Sequence, residues 1–162
     1  MVAESIAQQL ISTSELNHYF TADEITAFSC FLELRNIQAD STLMAVGEPA
    51  DCLMFVLEGS IRILADNTQI SSIGIGGCFG ESMFSDEGTR TANVLAIEKS
   101  LVAIFTLEDY SLFIAQNASL ALKFKSYFIA IKARHDNQTH GLLFKDDKKY
   151  LALIAHNEMK KS

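Results

Sequence analysis

No hydrophobic run in this chain reaches the roughly 18 residues that a membrane-spanning helix needs. The N-terminus carries Glu4 and no basic lead into an apolar stretch, so a secretory signal is not expected. Positive charge is scarce: 13 Lys and Arg stand against 20 Asp and Glu, a net charge of -7. Sequence-independent binding to nucleic acid needs a basic face, and that class is set aside. The 3 cysteines, Cys30, Cys52 and Cys78, are odd in number and widely spaced. They make neither a zinc pattern nor a disulfide framework, and read as free thiols of a reducing, cytoplasmic setting. Histidine is missing from the middle of the chain: His18, His135, His140 and His156 all fall outside residues 33–107. A metal-dependent barrel enzyme would need such ligands on its strands. Neither a metal site nor an enzyme is expected.

What is there is 162 residues with 49% hydrophobic composition, enough for one domain plus extras. Residues 3–32 read as helical. Thr21 and Glu24 have the spacing of a capping box, and Ile25, Phe28 and Leu32 recur at helical intervals. From Glu33 to Leu107 the period shortens. Apolar residues such as Leu53, Phe55, Leu57, Ile61 and Ile63 sit in short runs with period-2 character, separated by turn residues. Strands so short and closely spaced argue for an antiparallel barrel or jelly roll. Two helices follow, over 108–117 and 118–134. The second is apolar on one face through Leu120, Phe124, Tyr127, Phe128 and Ile131, and on another through Leu122 and Ile129. The fold class is therefore α+β, a β-roll with helices at both ends, and the doubled face of the last helix predicts a homodimer.

Chemistry concentrates in residues 79–92, Phe79-Gly80-Glu81-Ser82-Met83-Phe84-Ser85-Asp86-Glu87-Gly88-Thr89-Arg90-Thr91-Ala92. Gly80 lacks a Cβ and lets a ligand approach the backbone. Residues 81–85 can form about one helical turn whose first N–H groups face an anion. Arg90 offers a planar donor fork suited to phosphate oxygens. Thr91 adds a hydroxyl, and Ala92 is small enough to expose its own N–H. Glu81 would repel phosphate and makes sense as an acceptor for a hydroxyl on the same ligand. A phosphate and a sugar hydroxyl on one compact molecule suggest a nucleotide. Asp86 and Glu87 read as a solvated acidic tip.

At these residues the sequence resembles the cyclic nucleotide-binding domain family, whose phosphate cassette reads Phe-Gly-Glu, a variable turn, then Arg-(Ala/Thr/Ser)-Ala. The flanks extend the resemblance over roughly residues 15–134, through Val46-Gly47-Glu48, Phe55-Val56-Leu57-Glu58-Gly59-Ser60 and Ile73-Gly74-Ile75-Gly76-Gly77-Cys78. The resemblance implies that Glu81 takes the ribose 2′-hydroxyl and Arg90 the cyclic phosphate, with the backbone around Gly80, Ser82 and Ala92 completing the cradle. Helices after the barrel act in that family as a lid and a dimer seam, which makes Tyr127, Lys132 and Arg134 candidates to touch the base. Two positions depart from the pattern: Thr89 replaces a common proline, and Ser82-Met83 replaces a small-aliphatic pair. Thr91 resembles members that accept cGMP and also permits cAMP. No other cofactor is implied. The alternative is a degenerate domain that serves dimerisation alone, which the intact Glu81 and Arg90 disfavour.

Residues 1–134 are taken as this domain. Residues 135–149 read as a polar linker, and Tyr150-Leu151-Ala152-Leu153-Ile154-Ala155 as a strand beyond it. The 28 residues after Arg134 carry no helix-turn-helix pattern. Residues 149–160, with His156, Asn157 and Lys160, resemble the opening of methylglyoxal synthase, with Asn157 in place of aspartate. That resemblance implies a sensory domain placed ahead of such an enzyme; the alternative is an extra strand or helix that closes a dimer.

Overall fold

Helix formation at the N-terminus is punctuated where the side chains provide caps. In the computed structural model, which describes residues 2–85 and 88–143 and the side chains of the last helix as far as His135, α1 spans Val2–Thr13. A 3-10 turn over Glu15–His18 follows, capped by Ser14, whose hydroxyl accepts from the Leu16 N–H. Helix α2 (Ala22–Ser29) opens on the expected capping box: Thr21 Oγ1 accepts the Glu24 N–H at 3.1 Å, and Glu24 Oε1 accepts the Thr21 N–H at 2.9 Å.

Eight strands follow: β1 (Glu33–Ile37), β2 (Thr42–Met44), β3 (Cys52–Glu58), β4 (Ile61–Ala65), β5 (Thr68–Ile73), β6 (Cys78–Phe79), β7 (Asn93–Ala96) and β8 (Ser100–Thr106). They form two antiparallel four-stranded sheets, ordered β1-β8-β3-β6 and β2-β7-β4-β5. Together they make the expected β-roll. Helices α3 (Leu107–Gln116) and α4 (Ala118–Leu143) close the described chain. Helix α4 runs past Arg134, through residues expected to begin a linker. The remaining residues of that linker, the 150–155 strand and the Asp86-Glu87 tip lie outside the described residues.

Strand β3 departs from the alternation expected of it, since Leu53, Met54, Phe55, Val56 and Leu57 are all buried. Alternate residues serve two cores. Leu53, Phe55 and Leu57 face a cluster formed with Phe28, Phe105, Phe113, Phe124 and Phe128 beneath the helices. Met54 and Val56 point into the roll with Phe79, Val94, Val102 and Ile104. A strand covered on both faces loses its polar positions, and with them its period.

Gly76 fixes how the N-terminal helices meet this roll. Its φ of +89° lies where side chains are disfavoured, and a β-carbon there would run into the Thr13 carbonyl at the end of α1. Gly76→Ala is therefore expected to lower stability by about 1–3 kcal/mol. Urea unfolding checks this; a loss below roughly 0.5 kcal/mol would show that the loop and α1 are not held together as described.

Candidate functional site

Strand β6 ends at Phe79, and the chain turns through Gly80 (φ +89°) into a 3-10 turn over Glu81–Phe84. A β-carbon at Gly80 would stand 2.7 Å from Met44 Cε and 2.8 Å from the Cys52 carbonyl oxygen. The need for glycine therefore comes from the backbone angle and from β3 packed behind it, a different reason from the ligand approach inferred from sequence. Phe79, Gly80, Glu81, Ser82, Arg90, Thr91 and Ala92 all line one cavity of about 140 Å³. These seven cassette residues inferred from the sequence are thus brought together. Its apolar wall is Met44, Ile63, Ala65, Ile70 and Val94, the inward residues of the second sheet and its neighbours.

Arg90 is buried, with 5% of its surface exposed. Its Nη1 donates to the Gly80 carbonyl and to Ser82 Oγ, both at 3.0 Å, and its Nη2 donates to the Cys52 carbonyl and lies 3.6 Å from Cys52 Sγ. The backbone of Arg90 is pinned by the loop that holds the chain's single proline: its N–H donates to the Glu48 carbonyl at 2.8 Å, and its carbonyl accepts from the Gly47 N–H at 3.0 Å. Glu48, expected to be a turn carboxylate, caps the Ala45 N–H. Thr89, in the place of a proline, bridges Pro49. Burial pushes the Cys52 thiol up, against the opposing pull of Arg90, so it stays protonated beside the guanidinium.

Glu81 is equally buried, at 5% exposure. Its Oε1 lies 3.0 Å from His135 Nδ1 on α4, yet finds no hydrogen-bond partner of good geometry. Burial also pushes the nearby Cys78 thiol well up, and the Glu81 carboxylate adds to this. A guanidinium and a carboxylate thus sit in one largely apolar cavity, as recognition of an anion bearing a hydroxyl requires.

Helix α4 covers the cavity and is tied down elsewhere. Glu15 accepts from the Tyr127 hydroxyl at 2.7 Å and from Arg134, and Lys123 reaches both oxygens of Glu24 at 3.0 Å. Burial opposes ionisation of Glu15, but its bonds to Arg134 and Tyr127 hold its carboxyl below the usual range. Burial, and next the bond to Glu15, push the Tyr127 hydroxyl well above its ordinary value. Of the three residues nominated to touch a base, Lys132 lines the cavity, whereas Tyr127 and Arg134 are engaged with Glu15. Sequence reasoning missed His135 as a site residue, because the helix was ended at Arg134 while α4 runs to Leu143. The spacing of Phe128, Ile131 and His135 along one helical face was the available signal.

This cassette lies within the sequence stretch that a known family model matches: residues 34–117 fit the cyclic nucleotide-binding domain. The chain belongs to that family. A cyclic nucleotide-binding domain from Methylobacillus flagellatus superposes with a TM-score of 0.75 at 21% identity, covering 88% of this chain and 85% of that one. The catabolite activator protein of Thermus thermophilus follows the same fold, with a TM-score of 0.66 at 23% identity over 80% of this chain and 63% of that one. In sequence, glutaminase 1 of Bradyrhizobium diazoefficiens is 28% identical over 98 residues, 60% of this chain and 16% of that protein. A putative potassium channel protein of Rhodopseudomonas palustris is 26% identical over 117 residues, 70% of this chain and 28% of that protein. The cyclic nucleotide-binding domain thus spans a minor part of the curated relatives that it matches. Among its described residues, no helix is long and apolar enough to cross a membrane.

Proposed function

We propose that this cyclic nucleotide-binding domain is a sensor that binds cAMP or cGMP and reports occupancy through α4. The observation that carries the reading is Glu81 Oε1: a carboxylate oxygen buried without a well-formed hydrogen bond, in the same cavity as the Arg90 guanidinium. A buried acceptor left in that state costs free energy that a ligand hydroxyl recovers. In this reading Glu81 takes the ribose 2′-hydroxyl, Arg90 exchanges carbonyl partners for phosphate oxygens, and Gly80, Ser82 and Ala92 contribute main-chain groups. Thr91 stands exposed at the rim, where its hydroxyl suits a guanine amino group. Calorimetry with cAMP, cGMP and cyclic dinucleotides tests the proposal. Saturable binding of one of the first two is expected; no heat with any cyclic nucleotide at millimolar concentration overturns it.

Occupancy moves α4 only if the ligand favours one helix arrangement over another. One feature supports an output through this helix. Leu122 and Ile129, 57% and 48% exposed, form a second stripe that the roll does not cover. A homodimer across that stripe would bury it. Leu122→Glu with Ile129→Glu is then expected to shift the protein from dimer to monomer in sedimentation at tens of micromolar. A wild-type monomer under the same conditions, with and without nucleotide, would remove the dimer. Beyond α4, a fused effector is the second part of the proposal. It is supported by the longer relatives and by the likeness of residues 149–160 to the start of methylglyoxal synthase. The gene's reading frame tests it, and a stop codon directly after Ser162 would sink it.

A further inference from the structure

The contact between α4 and the cassette has a consequence for affinity. His135 Nδ1 lies 3.0 Å from Glu81 Oε1, the acceptor assigned to the ligand hydroxyl. Both groups line the same cavity. The imidazole therefore stands where a ligand donor has to come. We infer that His135 is an internal competitor: it occupies Glu81 in the empty protein, and a nucleotide must displace it to bind. The inference rests on the proposed function and adds a residue that sets its affinity.

The surroundings of His135 fit displacement. The contact lacks good hydrogen-bond geometry, so it is readily exchanged for a better donor. The remaining ties of α4 do not run through it. Tyr127 and Arg134 hold Glu15, Lys123 holds Glu24, and Phe124 stacks on Phe20 at 3.9 Å and on Phe28 at 4.4 Å. These ties hold α4 as far as Arg134 without the Glu81 contact, so the His135 side chain can leave Glu81 while the helix stays in place. Lys132, one turn earlier, lines the cavity beside His135. The imidazole holds the place of the ligand donor in the empty cavity, and the apparent dissociation constant rises as the inverse of the open fraction.

The test uses the full chain, wild type against His135→Ala and Glu81→Gln, with two readouts. Calorimetric titration with cAMP and cGMP is expected to show His135→Ala binding roughly tenfold tighter, as follows if about nine molecules in ten are closed when empty. Without ligand, the imidazole ¹⁵N signals of His135, assigned by their loss in His135→Ala, are expected to move in Glu81→Gln. In wild type they are expected to move in the same direction on addition of nucleotide. Equal or weaker binding by His135→Ala overturns the inference, since His135 would then be a bystander or a ligand contact. So does a His135 signal indifferent to Glu81→Gln. If neither wild type nor His135→Ala binds any cyclic nucleotide, the proposed function fails and the competition falls with it. A signal still sensitive to Glu81→Gln would in that case mark the pair as purely structural.

Discussion

Replacing Arg90 by alanine is expected to weaken cyclic nucleotide binding by roughly 3–4 kcal/mol, a factor in the hundreds. In the proposed reading the guanidinium is the charged donor for the phosphate, and it is buried, with 5% of its surface exposed. The same group also organises the empty site. It joins the Gly80 carbonyl, the Ser82 hydroxyl and the Cys52 carbonyl, so three acceptors from two segments lose a shared donor when it goes. A fall in stability of about 1–3 kcal/mol is expected alongside, because buried acceptors are left unpaired. Glu81→Ala is expected to cost less binding, since one hydroxyl contact is lost while repulsion of the phosphate is relieved. Calorimetry and thermal unfolding on the same samples separate the two effects. A folded Arg90→Ala protein that binds nucleotide like wild type would show that the cassette is not the binding site.

Much of this was legible in the sequence, for identifiable reasons. The capping box at Thr21 and Glu24 is a local signal, and its geometry depends on four neighbouring residues alone. The cassette was legible because Glu81 and Arg90 carry functional groups that a structural turn does not require. What stayed hidden depends on contacts between distant segments. The reason for glycine at position 80 is β2 and β3 behind it, through Met44 and Cys52, and no local pattern announces that. The loss of alternation in β3 reflects helices packed on its outer face. His135 was hidden by a boundary: the polar residues after Arg134 read as linker, while the helix continues to Leu143. Helix ends are set by caps and by what the last turn packs against, and composition alone shifts them by a turn.

Phe28→Ala is expected to cost about 3–5 kcal/mol, a large share of the stability of a domain this size. Phe28 has no exposed surface. Its ring stacks on Phe124 of α4 at 4.4 Å and meets Phe105 at 5.0 Å, Phe128 at 5.8 Å and Phe55 at 5.9 Å. One side chain from α2 thus joins α4 to the outer face of the sheet that carries β3 and β8. Truncation removes the ring contacts and leaves a cavity that rigid aromatic neighbours cannot fill. The loss also falls on the surface that positions α4 above Glu81, because Phe124 and Phe128 each lie about two turns before Ile131 and His135, respectively. Urea unfolding measures the stability, and hydrogen exchange measures protection along α4. A loss below roughly 1 kcal/mol, with α4 amides as protected as in wild type, would show that the aromatic cluster does not hold the helix in place. The expected result, a strong loss with early exchange in α4, ties the lid over the site to the core beneath it.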